Sequence, residues 1–344
     1  MQPIWSAKTP DKTMTAGLAK SLVQKCIRRG RESDAVYYAK QLYLGRKKRI
    51  HGCDIWKRLT IISVEDIGVA DILMPLRIED LAWDAFNLRK IVEAVVHLAR
   101  APKCRAVDLA IHWFDKYGLL DGDTIREDYV PPTIGLQECI RRGQEADAVF
   151  CVKRDYGCKQ QLWEQLFTCA QDVGDALMPL WIEDLERLAK RVDDHNPEDK
   201  PDLLMIVHAA MLLCRAQKSG DRWFDKRMNY VPPTADELDR YMDENEPKPD
   251  SEDFAIVLDD AKDKHTAEGR NMGRTGKVGE EHFWTRGCIL ENRSDVADFQ
   301  APATVVDRER LFPTEAEATV CQTGLAEVGL RPKMTGSAFA PNPA

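Results

Sequence analysis

Apolar residues recur at spacings of three and four along most of the first 240 residues, which is the pattern of amphipathic helices. Leu18 and Leu22 share one apolar face of the first predicted helix, and Gly30 follows as a C-terminal stop. A second helix is predicted over 33–45. The two segments therefore predict a helical hairpin at the start of the folded region.

The same periodicity predicts further helices over 54–64, 78–86, 88–100, 105–114 and 203–215. The last of these has a wide apolar face, which is typical of a buried helix. No segment shows the convincing apolar and polar alternation of a strand, so we predict an all-α fold.

Several strings occur twice, in the same order and roughly a hundred residues apart, as in repeat proteins. Cys-Ile-Arg-Arg-Gly stands at 26–30 and 139–143, and Leu-Met-Pro-Leu stands at 73–76 and 177–180. Tyr-Val-Pro-Pro-Thr stands at 129–133 and 230–234. We therefore predict a duplicated helical domain.

The predicted organisation follows from these repeats and from shifts in composition. It consists of a loose N-terminal arm (1–14), a first helical repeat (15–133), a second repeat (134–240), an acidic proline-containing linker (241–253), a partly ordered C-terminal motif segment (254–293) and a disordered tail (294–344).

Charge is distributed unevenly along the chain. The formal net charge of -8 divides into +5 for residues 1–135, -5 for residues 136–240 and -8 for residues 241–344. Only the first repeat offers a basic surface for nucleic acid, because phosphate binding needs clustered cations. Cations at solvated helix ends and loops give the same pattern, which is the competing interpretation. The candidate DNA-binding residues are Lys25, Arg28, Arg29, Arg46, Lys47, Lys48 and Arg49.

The ten cysteines include no Cys-x-x-Cys pair, and the chain shows neither a secretory signal nor an apolar run of membrane-spanning length. We expect reduced thiols and a location in the cytoplasm or with the nucleoid. Cys26 and Cys139, which occupy equivalent positions in the repeats, are expected to be small buried apolar residues.

No catalytic motif emerges. The glycine-rich segment 269–279 lacks the phosphate-loop pattern, since Lys277 is followed by Val278 instead of Ser or Thr. Four residues of types that bind metals lie nearby, but their spacing matches no compact ligand pattern: Asp263, His265, His282 and Cys288. We expect no cofactor, no metal and no enzymatic activity. A metal-dependent enzyme using the His265 to His282 segment is a less favoured alternative.

Two strings in the first repeat resemble a known family. Ser-Val-Glu-Asp-Ile-Gly-Val-Ala-Asp at 63–71 and Ala-Arg-Ala-Pro-Lys at 99–103 are similar to the C-terminal domain of RarA/MgsA-type AAA ATPases, and the likeness covers about residues 15–115. The second repeat looks like a degenerate copy. The motif residues are Glu65, Asp66, Gly68, Arg100, Pro102 and Lys103. A second motif looks similar to the tails of stand-alone relatives from phage or mobile elements: His265, Thr266, Gly269, Gly273, Arg274 and His282.

The resemblance implies a helical module related to the clamp-loader collar, which assembles subunits beneath an ATPase domain. The ATPase part of that pattern does not occur in this sequence. What remains resembles an isolated, duplicated collar. The expected function is that of a non-catalytic accessory protein in DNA replication, recombination or repair that acts through protein–protein contacts. Expected partners are replication or repair proteins such as an AAA ATPase or clamp loader, and the chain is a candidate homo-oligomer. Sequence-independent DNA binding by the basic first repeat is the alternative.

Overall fold

The computed structural model describes residues 14–44, 52–83, 87–116, 134–193, 201–219, 230–244 and 252–290. These residues are predominantly helical, with no strand among them, which confirms the predicted all-α class. The helices are α1 (Ala16–Arg28), α2 (Glu32–Leu44), α3 (Gly52–Ile62), α4 (Met74–Ala82), α5 (Leu88–Arg100), α6 (Ala106–Lys116), α7 (Leu136–Arg141), α8 (Glu145–Arg154), α9 (Lys159–Asp172), α10 (Met178–Asp193), α11 (Pro201–Ser219), α12 (Ala235–Asp243), α13 (Glu252–Ala261), α14 (Ala267–Asn271) and α15 (Gly276–His282).

The described residues form two compact units. Unit 1 contains α1, α2 and residues 243–290, and unit 2 contains the residues from 52 to 242. This division differs from the predicted division by repeats, which places the α1–α2 hairpin with residues 45–133. The physical reason is that α1 carries buried cations whose partners lie in the C-terminal motif segment.

The two Cys-Ile-Arg-Arg-Gly strings end their helices with the same turn. Gly30 and Gly143 both have φ 63°, a left-handed conformation that favours glycine. The Arg31 amide donates to the Cys26 carbonyl over 2.9 Å, and the Gln144 amide donates to the Cys139 carbonyl over 2.9 Å. Both are Schellman turns, and both lead into a second helix, so the sequence repeat is matched by local geometry here.

Helices α4 and α10 also begin alike. The amides of Leu73 and Leu177 donate to the side chains of Asp71 and Asp175 over 3.1 and 3.0 Å. Each helix then starts at the methionine of its Leu-Met-Pro-Leu string, with proline in the first turn, where its missing N–H costs nothing. These local matches support the repeat, while the duplicated-bundle architecture as a whole stays a prediction.

Helix α11 runs through the middle of unit 2. Its predicted apolar face is buried, including Ile206, Val207 and Met211. Cys26 and Cys139 are also buried with free thiols, as expected from their apolar neighbours. Burial of each large aliphatic side chain contributes about 1.5–3 kcal/mol.

Some predicted segments are only partly described. Helix α12 extends to Asp243, into the predicted linker, and α13 begins at Glu252. Residues 254–290 of the motif segment are helices and short turns. The arm at 1–13, the run Arg46 to Arg49 and the tail at 294–344 lie outside the described residues.

Candidate functional site

Three cations lie together at the C-terminal end of α1 and are buried. Lys25, Arg28 and Arg29 stand at i, i+3 and i+4, so their side chains leave the helix on neighbouring faces. Their exposed fractions are 2%, 0% and 6%. A buried cation is costly unless it is paired, and each of the three has partners within unit 1.

The partners come from the C-terminal motif segment. The Lys25 ammonium lies 2.6 Å from Asp263, and Arg29 lies 2.5 Å from Asp260. Arg28 donates to the Gly287 carbonyl over 2.7 Å. Burial by itself lowers the pKa of Lys25, and this effect exceeds the opposing attraction of Asp263. Burial would likewise raise the pKa of Asp263, but the Lys25 ion pair lowers it.

These positions correct the DNA-binding prediction for Lys25, Arg28 and Arg29. A phosphate contact requires an exposed cation, whereas these three side chains are enclosed and bonded within unit 1. The remaining candidates, Arg46, Lys47, Lys48 and Arg49, lie outside the described residues.

A second group of ion pairs surrounds Asp259. The Nη2 atom of Arg274 donates to both carboxylate oxygens of Asp259, over 2.8 and 2.9 Å. Arg286 lies 3.6 Å from Asp259 and 2.8 Å from the neighbouring Asp260. Counting Arg29, three guanidinium groups thus surround two carboxylates, so arginine more than neutralises both negative charges.

The metal-ligand candidates are not brought together as a set. Asp263 pairs with Lys25, and the exposed His265 packs edge-on against Phe283 with ring centroids 5.1 Å apart. The structure instead gathers Asp259, Asp260 and His282, whose ligand atoms lie within 4.8 Å of one another. Because arginines already occupy both carboxylates, a cation here would compete with guanidinium groups. The cluster therefore fits an internal anchor better than a metal centre.

The small residues of the C-terminal motif shape its backbone. The Thr266 hydroxyl caps α14 by accepting from the Gly269 amide over 3.0 Å. A Cβ atom at Gly269 would lie 1.9 Å from the Asp263 carbonyl oxygen. Gly273 has φ 79° and ends α14, and Arg274 follows it to reach Asp259. The spacing of this motif is thus explained by turn geometry and by the ion pairs around Asp259.

The strings at 63–71 and 99–103 pack against each other in the buried interior of unit 2. Residues Ser63–Ile67 form a π-helix, and the Asp66 carbonyl accepts from the Cys104 amide over 2.9 Å. Gly68 has φ 49°, and a Cβ atom there would lie 2.9 Å from the Cys104 carbonyl oxygen.

Charged residues of these strings form ion pairs and hydrogen bonds, some of them with Arg105, which follows the second string. Arg105 lies 3.4 Å from Asp66 and 3.6 Å from Glu65. The buried Lys103 ammonium donates to the carbonyls of Ala99, over 2.9 Å, and Ala101.

Arg100 differs from the other motif residues because it reaches α12. It pairs with Glu237 over 2.8 Å and donates to the Val231 carbonyl over 3.2 Å. Pro102 lies between Arg100 and Lys103, in the partly buried connection after α5. The motif residues therefore support the packing of α5, α6 and α12. The described motif residues do not form a solvent-exposed cluster of reactive groups.

Sequence reasoning missed one cluster, formed by Arg77, His97 and Tyr230. The Tyr230 hydroxyl lies 2.8 Å from Arg77 and 3.0 Å from the Nδ1 atom of His97. Burial lowers the pKa of His97 to about 4 and raises the pKa of Tyr230 to about 12. The repeated Tyr-Val-Pro-Pro-Thr string was the available signal. The cluster fastens the segment before α12 to α4 and α5.

Comparisons with known proteins do not assign this chain to a family. No family model, curated protein or solved structure matches this chain. Among the described helices, none combines the length and the apolar character needed to cross a membrane.

Proposed function

We propose that this chain is a non-catalytic accessory protein of DNA replication, recombination or repair that acts through protein–protein contacts. One observation carries the proposal. Helix α4 from the first Leu-Met-Pro-Leu string packs against helix α10 from the second, so one copy of the motif is a binding surface for the other. A module that binds its own copy is suited to assembly.

The character of the motif residues supports this proposal. Asp66, Gly68 and Lys103 are buried and bonded to backbone or charged neighbours, which suits a structural frame. The family resemblance supplies the replication or repair setting and the class of partner, an AAA ATPase or a clamp loader. A location in the cytoplasm or with the nucleoid belongs to the same proposal.

Binding to purified partners tests the function. The full chain is immobilised and exposed to the clamp loader and the replicative helicase of the source organism, with biolayer interferometry as the readout. We expect a Kd of micromolar or tighter, corresponding to at least about 8 kcal/mol of binding free energy. Heat-unfolded chain is the control. No binding to either protein at about 100 μM would overturn the assigned partner class.

The proposal that the chain has no catalytic activity is tested separately. ATP hydrolysis and DNA cleavage are measured with the purified chain in Mg²⁺ and in Mn²⁺. We expect rates equal to a protein-free blank. Turnover that is lost in a His282→Ala variant would instead favour the enzyme alternative.

A further inference from the structure

Two cysteine sulfurs of the second repeat lie in contact between helices α7 and α8. The Sγ atoms of Cys139 and Cys151 are 4.0 Å apart, and neither side chain has exposed surface. A disulfide needs a separation of about 2.05 Å between its sulfurs, so each sulfur must approach by only about 1 Å. Rotation about a Cα–Cβ bond displaces a sulfur by more than this distance. The folded hairpin therefore places the two thiols within reach of one specific bond.

The equivalent hairpin of the first repeat lacks this pair. Cys26 in α1 corresponds to Cys139, but the counterpart of Cys151 is Tyr38. Cys26 and Cys139 are both inaccessible to solvent, and burial raises the pKa of each thiol to about 12. A thiol with such a pKa is protonated and unreactive while it stays buried. Cys26 is consequently an internal control, because it shares the burial of Cys139 and differs in the residue across the hairpin.

The pair lies close to the surface of unit 2, beneath the start of α7. The Cys151 thiol donates to the Ile134 carbonyl over 3.7 Å, and Ile134 is partly exposed beside the exposed Gly135. Helix α7 has only six residues, which is too short for a stable isolated helix. Its ion pair between Arg141 and Asp172 is exposed and contributes little. Local opening of α7 therefore costs less than the unfolding of unit 2, and it exposes both thiols.

Helix α8, in contrast, is anchored at both ends. The carboxylate of Glu145, in its first turn, accepts from Arg215 of α11 over 2.6 and 2.9 Å. The buried Lys153, in its last turn, donates to the Ile111 carbonyl of α6 over 3.1 Å. A covalent bond between the two helices would therefore fasten the short α7 to a fixed neighbour.

We propose that Cys139 and Cys151 are a redox pair that forms a disulfide on exposure to hydrogen peroxide, and that this bond fixes α7 on α8. When α7 opens, one thiolate attacks a peroxide oxygen, so that an S–O bond forms, the O–O bond breaks, and a sulfenic acid and water result. When α7 closes, the second sulfur attacks the sulfenic sulfur, the S–S bond forms, and a second water leaves. The two thiols lose one electron pair and two protons, and the peroxide is reduced to water. A dithiol reverses the bond by exchange. This inference goes beyond the proposed function and does not depend on it.

Thiol mapping of the full chain provides the first test. The native protein is treated with hydrogen peroxide, quenched with catalase, unfolded and alkylated. Trypsin cleaves after Arg141 and Arg142, so Cys139 and Cys151 fall on separate peptides, which a disulfide would join. We expect the joined peptides to replace most of the free pair, and we expect dithiothreitol to restore the free peptides. The Cys26 thiol should stay available for alkylation in the same sample.

Three variants separate this bond from other oxidation. Cys139→Ser and Cys151→Ser each keep one thiol of the pair and should give no joined peptides. Cys158→Ser removes an exposed thiol outside the pair and should leave the joined peptides unchanged. A pair that stays free in the native wild type would overturn the proposal, as would joined peptides that appear only after unfolding in urea.

Hydrogen exchange tests the structural effect of the bond. The α7 amides of the oxidised chain should exchange at least about tenfold more slowly than those of the reduced chain, because a disulfide restricts the opened state. The α1 amides around Cys26 should exchange at the same rate in both samples. Equal exchange of α7 in the oxidised and reduced chains would overturn the proposed fixing of α7 on α8.

Discussion

The Nζ atom of Lys25 lies 2.6 Å from a carboxylate oxygen of Asp263, which stands 238 positions later in the chain. Both side chains are nearly inaccessible to solvent. Together with the Arg29–Asp260 pair, this contact joins the α1–α2 hairpin to the C-terminal motif segment. Unit 1 is consequently a discontinuous structure, and its stability depends on charges that are distant in sequence.

Replacing Asp260 with alanine tests this dependence. The change leaves Arg29 buried without its closest carboxylate, and breaking a buried ion pair costs about 3–5 kcal/mol. We expect a decrease of that size in the unfolding free energy of unit 1, measured by hydrogen exchange of α1 and α13 in increasing urea. Asp172→Ala, which removes an exposed pair with Arg141, is the control and should change stability by less than about 1 kcal/mol. Equal effects of the two changes would show that burial does not strengthen the Asp260 pair.

Gly269→Ala tests the close approach inside the C-terminal motif. The added Cβ atom would lie 1.9 Å from the Asp263 carbonyl oxygen, so the backbone must shift. We expect a loss of about 1–3 kcal/mol or more in unit 1, detected as faster hydrogen exchange in α14 and α1. Gly157→Ala, whose Cβ atom meets nothing within 4 Å, should leave stability nearly unchanged. A neutral result at Gly269 would contradict the described packing of α14.

His208 predicts a pH dependence of the stability of unit 2. It is fully buried, neither ring nitrogen has a hydrogen-bond partner among the described residues, and burial lowers its pKa to about 3. The unfolded chain therefore binds this proton first, near pH 6.5. The stability contributed by neutral His208 is present above that pH and is lost as the pH falls towards 3.

His208→Leu and His208→Gln provide the measurement. The wild type should lose about 2 kcal/mol more than either variant between about pH 7 and pH 5, since one proton changes stability by about 1.4 kcal/mol per pH unit. Urea midpoints give the comparison at each pH. The two variants differ in packing and hydrogen bonding but neither titrates, so a slope that persists in both would assign the effect to another group.

The DNA-binding alternative needs a different variant from the one that sequence alone suggests. Neutralising Arg28 or Arg29 would disrupt unit 1, because both are buried and bonded there. The informative variant neutralises Arg46, Lys47, Lys48 and Arg49 only. We expect flat fluorescence anisotropy with labelled DNA across a salt series. Binding that weakens steeply with salt and is lost in this variant would favour the alternative.

Local structure was predictable where spacing and capping residues were clear. The predicted helix over 88–100 matches α5, and Gly30 ends α1 with a left-handed turn as expected of glycine in that place. The predicted helix at 54–64 is less accurate, since α3 ends at Ile62 and a π-helix follows. That irregular turn is held by contacts with Cys104, which helical periodicity does not report.

The candidate site was predictable only in part. Periodicity places Lys25, Arg28 and Arg29 on neighbouring faces of one helix, but it gives the same pattern for a solvated surface and for a buried one. The three cations are buried because the carboxylates of Asp260 and Asp263 pair with Arg29 and Lys25. These carboxylates belong to a segment more than two hundred positions away. Similarly, the motif at 265–282 was visible as a string, while its role in surrounding Asp259 with arginine was not.

The amino-acid sequence by itself determined the helical class, the places of most helices and the repeated strings, because these depend on spacing along the chain and on capping residues such as Gly30. The tertiary structure alone decided that the cations at the end of α1 are internal, that α4 packs on α10, and that Trp83 and Leu180 are exposed. Those outcomes depend on which helix faces cover one another, and burial between distant segments leaves no periodic signal in either segment.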